Sequence, residues 1–177
     1  YLGPEHLAVY RQAQAVISRR RGLALISGDM GMGKSSLARR LYDVFASDES
    51  IDIAYSHTAA FKSPMDGARQ ISKALYIPAQ RSFQSQMESL ENFMADAYKA
   101  NHNVVVLLDD AQLMEPEALE VLQRLYNFDY DSKVVQVLAF GQTEMISVFE
   151  QNKSVNARVF VRLALPPLTL SSALQMV

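Results

Sequence analysis

The sequence predicts an α/β protein: a parallel β-sheet with helices on both faces. Three observations lead there. Short apolar runs alternate with amphipathic helical stretches along the chain, the pattern of parallel strands joined by helical crossovers. One such run, Leu23-Ala24-Leu25-Ile26, leads directly into Gly28-Asp29-Met30-Gly31-Met32-Gly33-Lys34-Ser35 and then into apolar residues at helical spacing. Another, Val104-Val105-Val106-Leu107-Leu108, is apolar without alternation and ends in Asp109-Asp110. A β-branched run of that kind suits a strand covered on both faces.

The elements follow in order. Pro4 and Glu5 open a helix that runs to about Arg20, with Leu7, Tyr10, Ala13 (or Gln14) and Ile17 as its buried stripe. Arg19-Arg20-Arg21-Gly22 closes it, because cations suit a helix C-terminus and glycine serves as a stop. After strand one and the glycine-rich loop, Leu37, Ala38, Leu41 and Val44-Phe45 mark a helix to about Phe45. Ser47 to Ser50 is a polar turn, and Ile51-Asp52-Ile53-Ala54-Tyr55 alternates as a second strand. Ser63-Pro64-Met65-Asp66 is a capped helix start with proline at the first helical position; Ala68, Ile71 and Leu75 follow, and Ile77-Pro78-Ala79 breaks the helix. A further helix spans about Ser85 to Ala100, with Met87, Leu90, Phe93-Met94 and Ala97 inward. Strand three starts at Val104. Pro116 begins a helix carrying Leu119, Leu122 and Leu125, Val134 to Phe140 is a fourth strand, and Val159 to Ala164 a fifth. Pro166-Pro167 ends that run, and Thr169 or Ser171 is placed to cap a helix that the chain barely begins.

Composition narrows the function classes. A length of 177 residues predicts one domain with a full core, and 49% hydrophobic against 20% charged residues is ordinary for a globular protein. A net charge of -2 does not argue for nucleic acid or a membrane surface. With no cysteine, disulfides and zinc–thiolate sites are excluded; this fits a reducing compartment, and a cytoplasmic location is expected. His6, His57 and His102 are far apart and predict no metal cluster. The longest apolar run is only a strand, so no membrane insertion is expected. Because the chain opens on Tyr1 rather than methionine, it reads as a piece of a longer protein.

The glycine-rich segment satisfies the phosphate-binding pattern Gly-x4-Gly-Lys-Ser/Thr in full, between strand and helix, where such a loop can curl its N–H groups around phosphate oxygens. The nucleotide-binding residues are therefore Gly28, Met30, Gly31, Met32, Gly33, Lys34, Ser35 and Ser36, and the ligands ATP and Mg²⁺. Lys34 is expected on the β- and γ-phosphates and the Ser35 hydroxyl on Mg²⁺. Asp109 ends an apolar strand at the edge where an open α/β sheet places ligand groups, and is the second candidate ligand for Mg²⁺. Asp110 stands where many hydrolytic enzymes of this kind carry a glutamate that polarises the attacking water. Its side chain is one methylene shorter. A positioned carboxylate base contributes about 10²–10⁴-fold, so two alternatives stay open: a base of altered geometry, or slow hydrolysis.

Three further segments carry a family resemblance. Asp109-Asp110-Ala111-Gln112-Leu113 resembles the DEAQ Walker B segment of the ExeA-like branch of AAA+ ATPases. Val137-Leu138-Ala139-Phe140-Gly141-Gln142-Thr143-Glu144-Met145 is similar to that branch's LVGQPEL segment. Asn156-Ala157-Arg158-Val159-Phe160-Val161-Arg162, followed by Pro167-Leu168, is similar to its QRI…R…PL segment. The branch takes in secretion-pathway and pilus-assembly ATPases and the TniB- and TnsC-type transposition regulators. The departures are Asp110 for glutamate and Thr143 for proline.

The resemblance implies a five-stranded parallel sheet in the order 5-1-4-3-2. Residues 1–22 become a linker helix flanking the adenine, 23–168 the ATPase core, and 169–177 the start of a helical lid. Gln142 takes the sensor position that orients water against the γ-phosphate. Arg158 becomes the arginine finger offered to a neighbouring subunit, with Arg162 the competing choice. The implied partners are further copies of the chain, in a ring or filament, and the proteins of a larger machine. DNA is a candidate partner, with Lys62, Arg69, Lys73 and Arg81 clustered after strand two; Arg19-Arg20-Arg21 reads first as a helix-terminal cluster. The function expected is an ATP-hydrolysing, DNA-associated switch of the transposition-regulator type. The alternatives are an ExeA-like secretion or pilus-assembly ATPase, or an ATP-binding scaffold with negligible hydrolysis.

Overall fold

The computed structural model describes residues 3–128 and 133–167. In chain order the elements are α1 (Pro4–Ser18), β1 (Leu23–Ser27), α2 (Lys34–Phe45), β2 (Ile51–Ser56), α3 (Pro64–Ala74), α4 (Phe83–Lys99), β3 (Asn103–Leu108), α5 (Glu120–Leu125), β4 (Val135–Gly141), α6 (Glu144–Gln151), α7 (Lys153–Asn156) and β5 (Val159–Ala164). The five strands form one sheet, spatial order β2-β3-β4-β1-β5, with every pairing parallel. Read from the other edge this is 5-1-4-3-2, the expected order.

The sheet separates two apolar layers because successive residues of a strand face opposite ways. Leu23 and Leu25 of β1, with Val104, Val106 and Leu108 of β3, pack against α3, α4, α5 and α6. Ala24 and Ile26, with Val105 and Leu107, pack against α1 and α2. β1, β3 and β4 are buried along their whole length, the polar Gln136 inside β4 included, whereas the outer strands β2 and β5 are only partly covered.

Local chemistry sets most boundaries. Ser63 caps α3 by accepting the Asp66 N–H at 3.1 Å, Asp66 Oδ2 accepts the Lys62 N–H at 3.0 Å, and Pro64 occupies the first turn. Several expectations shift. The buried face of α1 is His6, Val9, Tyr10, Ala13, Val16 and Ile17, so the stripe is wider than the predicted one and Leu7 lies at its margin. α1 stops at Ser18, since Arg20 turns left-handed (φ 51°); Gly22 (φ 96°) serves the entry to β1 rather than the helix end. α4 starts at Phe83, two residues before the expected start, because the Ser82 hydroxyl caps it by accepting the Ser85 N–H at 3.1 Å. The segment from Pro116 is a 3₁₀ turn to Leu119 that only then becomes α5. The short helices α6 and α7 were not foreseen; they bury Met145, Phe149 and Val155 in the α3–α6 layer. The expected lid at 169–177, with Thr169 and Ser171, lies outside the described residues, as do Tyr1, Leu2 and Leu168. Among the described residues no helix is long and apolar enough to cross a membrane.

Candidate functional site

β1 ends at Ser27, and the chain crosses the top of the sheet as the glycine-rich loop before entering α2 at Lys34. Gly31 and Gly33 have φ of 80° and 84°, a region L-residues rarely adopt, and nothing lies within 4 Å of where a Cβ would stand on either. The side of the loop they present is therefore open. α2 has no side-chain cap, so its first-turn N–H groups have no such acceptor, the arrangement that makes a helix N-terminus an anion site. Lys34 is buried, and its ammonium donates to the Gly28 and Asp29 carbonyls, at 2.7 Å each.

A cleft of about 360 Å³ opens on this loop, lined by Met30, Gly31, Gly33, Lys34, Ser35, Ser36, Asp110 and Gln142. Eight of the predicted site residues thus meet there, although Asp110 and Gln142 are far from the loop in sequence. Adjacency of β3, β4 and β1 does this: the loops leaving the three strands all emerge at the C-terminal edge. Gly28 does not face the cleft. A Cβ there would stand 3.1 Å from the Leu165 carbonyl oxygen, so this glycine allows the close packing of β1's exit against the chain after β5. The Met32 side chain also turns away. Its sulfur accepts the Asp29 N–H at 3.3 Å, and the side chain packs against the α1–α2 layer.

Asp109 lies behind the cleft, 3% exposed. Parity places it on the same sheet face as Val105 and Leu107, toward α2, the helix that carries Ser35. Its Oδ1 accepts the Asp110 N–H at 3.0 Å and its Oδ2 accepts the Tyr55 hydroxyl at 3.2 Å. Among the described residues it has no cationic partner. Each oxygen keeps acceptor capacity, and a buried carboxylate without a counter-charge suits a divalent cation. No group of three or more His, Asp or Glu side chains that could hold a metal occurs among the described residues; Mg²⁺ needs no such cage, because it is typically bound through one or two carboxylates together with waters and substrate phosphates. The donor set fits the ion.

Asp110 adopts φ 53°, ψ 37°, an uncommon conformation for a residue with a side chain and one that recurs at functional turns. Gln112 joins it to Gln142: the Gln112 amide nitrogen lies 3.4 Å from Asp110 Oδ1, and its oxygen accepts the Gln142 N–H at 3.1 Å. Gln112 stands inside the Walker B segment, yet nothing in its spacing assigned it this contact. His6 and Tyr55 are also new. His6, buried on α1, bonds the Met32 carbonyl at 3.1 Å and so ties the first helix to the loop. Tyr55 reaches Asp109 from the neighbouring strand; burial, and then the Asp109 charge, raise its phenol well above the ordinary tyrosine range, so the hydroxyl stays a donor. Its place at the C-terminal edge of β2 was the one available signal.

Arg158 lies elsewhere. It precedes Val159, which pairs with Leu23 at the start of β1, whereas the loop follows Ser27 at the other end. Five strand residues at about 3.3 Å each separate the two levels. The Arg158 guanidinium donates to the Ser154 carbonyl and hydroxyl at 3.0 and 2.9 Å. Arg162 is exposed and donates to Asn156 Oδ1 at 2.6 Å. The arginines at the end of α1 act locally: Arg20 donates to the Asn101 carbonyl at 2.7 Å, and Arg21 lies over the Phe160 ring.

Fold and cleft together define a P-loop nucleotide-binding protein of AAA+ architecture. Residues 17–149 match the AAA domain family, to which this chain belongs. General secretion pathway protein A of Aeromonas hydrophila is 28% identical over 155 residues, which cover 84% of this chain and 27% of that protein. The chain thus spans about a quarter of that relative. Among solved structures, Cdc6p of Pyrobaculum aerophilum aligns with 99% of this chain and 50% of its own at a TM-score of 0.76 and 17% identity. The Aeropyrum pernix ORC1 protein in complex with DNA aligns with 99% and 49% at 0.71 and 17%. At such identities these two structures bear on the fold alone.

Proposed function

We propose that the chain is an ATPase core that binds ATP with Mg²⁺ and hydrolyses it in a subunit assembly. The observation that carries this is the single cleft in which the open glycine loop and the uncapped end of α2 face Asp110 and Gln142. In this reading the first-turn N–H groups and Lys34 bind the phosphates, and Ser35 and Asp109 hold Mg²⁺, which neutralises phosphate charge. Asp110 accepts a proton from the attacking water, which Gln142 orients. Residues 1–22 serve as the linker beside the nucleotide, a role supported by the His6–Met32 bond. Residues 23–168 are the core, and 169–177 begin the lid.

The larger role has two readings. A DNA-associated switch of the transposition-regulator type is the first; the DNA-bound structural neighbour supports it only at the level of fold. A component of a secretion machine is the second, and the sequence relative favours it. Lys34→Ala tests the shared core. Its ammonium touches only loop carbonyls, so the variant should keep the wild-type circular dichroism spectrum and lose ATP binding and turnover. Wild-type affinity for ATP in that variant contradicts the site. Stimulation of wild-type turnover by duplex DNA selects the first reading, and indifference to DNA the second.

A further inference from the structure

We propose that Tyr55 is a positioning residue for Asp109: it fixes the rotation of the carboxylate so that a free lone pair meets Mg²⁺. The inference rests on the reading of Asp109 as a metal ligand. Tyr55 belongs to the outer strand β2 and lines a surface groove of about 650 Å³ with Arg39, Tyr42, His57, Lys73 and Tyr76. A tyrosine in such a place can turn its hydroxyl to water. Here the hydroxyl turns inward to Asp109 Oδ2 at 3.2 Å.

The surroundings hold it there. The Tyr42 ring centroid lies 5.9 Å from that of Tyr55, and the His57 ring centroid 4.1 Å from it. The backbone is pinned at the same level: the Asp109 N–H donates to the Ser56 carbonyl at 2.9 Å, and the Asp109 carbonyl accepts the Ala59 N–H at 2.7 Å. Tyr55 and Asp109 therefore cannot slide past one another. With Asp110 N–H on one oxygen and Tyr55 on the other, the carboxylate plane has two fixed donors and little rotational freedom. Donors of this kind orient metal ligands, and losing one typically costs about 10–100-fold in metal affinity.

The test is binding of N-methylanthraniloyl-ATP, followed by fluorescence in an Mg²⁺ titration and again in EDTA. Wild type is compared with Tyr55→Phe, Tyr42→Phe and Asp109→Asn. Tyr55→Phe removes one oxygen and keeps the ring. It should raise the Mg²⁺ concentration at half-saturation about tenfold and leave binding in EDTA unchanged, while Tyr42→Phe matches wild type. An unchanged or lower half-saturation in Tyr55→Phe overturns the proposal, and so does an equal loss in EDTA, which marks a structural role only. If Asp109→Asn also titrates like wild type, the metal-ligand reading itself fails. If Asp109→Asn shifts and Tyr55→Phe does not, only the role of Tyr55 is lost.

Discussion

In the proposed reading, Asp110 sets how fast this site turns over. Its backbone is held in the left-handed region and its carboxylate lines the cleft, with the Gln112 amide on one oxygen. Removing the charge while keeping the shape separates binding from chemistry. Asp110→Asn should bind ATP like wild type and lose about 10²-fold or more in hydrolysis, the typical worth of a positioned carboxylate base. Asp110→Glu should keep or raise the rate, since it restores the missing methylene. Steady-state phosphate release measures both. Equal rates for wild type and Asp110→Asn support the scaffold alternative instead.

At the scale of elements, α3 shows how packing overrides propensity. Gly67 sits inside this helix, where alanine is favoured by about 1 kcal/mol. A Cβ at that position would stand 2.9 Å from Phe61 Cδ2 and 2.9 Å from Val121 Cγ1. Both neighbours are fully buried, so neither can swing into solvent. Overpacking of this kind costs about 1–3 kcal/mol, which outweighs the gain in propensity. Gly67→Ala should therefore lower the thermal midpoint by about 2–4 °C, as read by calorimetry, with ATP affinity unchanged. A higher midpoint means that α3 can move off the 3₁₀ turn and α5 without loss.

Assembly is the question at the scale of the whole molecule. Arg158 stands at the end of β1 opposite the loop, so it cannot serve the cleft of its own chain. In the proposed assembly it serves the cleft of a neighbouring subunit. Arginine fingers are worth about 10³–10⁵ in rate, and one that acts in trans matters only where subunits meet. In the proposed assembly, specific activity should rise with protein concentration. Arg158→Ala should bind ATP normally and show a flat, low profile. A wild-type profile as flat as that of Arg158→Ala removes the finger assignment and weakens the reading of an assembly.

The sequence by itself determined what local chemistry can encode. The glycine-rich loop between a buried strand and a helix was legible because backbone freedom and phosphate binding need those residues at that spacing. The layering of the sheet followed from strand runs with the right length and polarity, and the order 5-1-4-3-2 came with the family resemblance. Asp109 and Asp110 were legible as strand-end acids. The tertiary structure alone decided which side chains touch across strands. The bonds of Tyr55 to Asp109, of Gln112 to the Gln142 backbone and of His6 to Met32 join residues 54, 30 and 26 positions apart. No periodicity records such pairs, because they depend on the register of neighbouring strands and the seating of helices. The same holds for Gly28 and Met32. Both satisfy the motif, yet one packs against Leu165 and the other against the core, for a motif constrains the backbone path of a loop and leaves the direction of its side chains to packing.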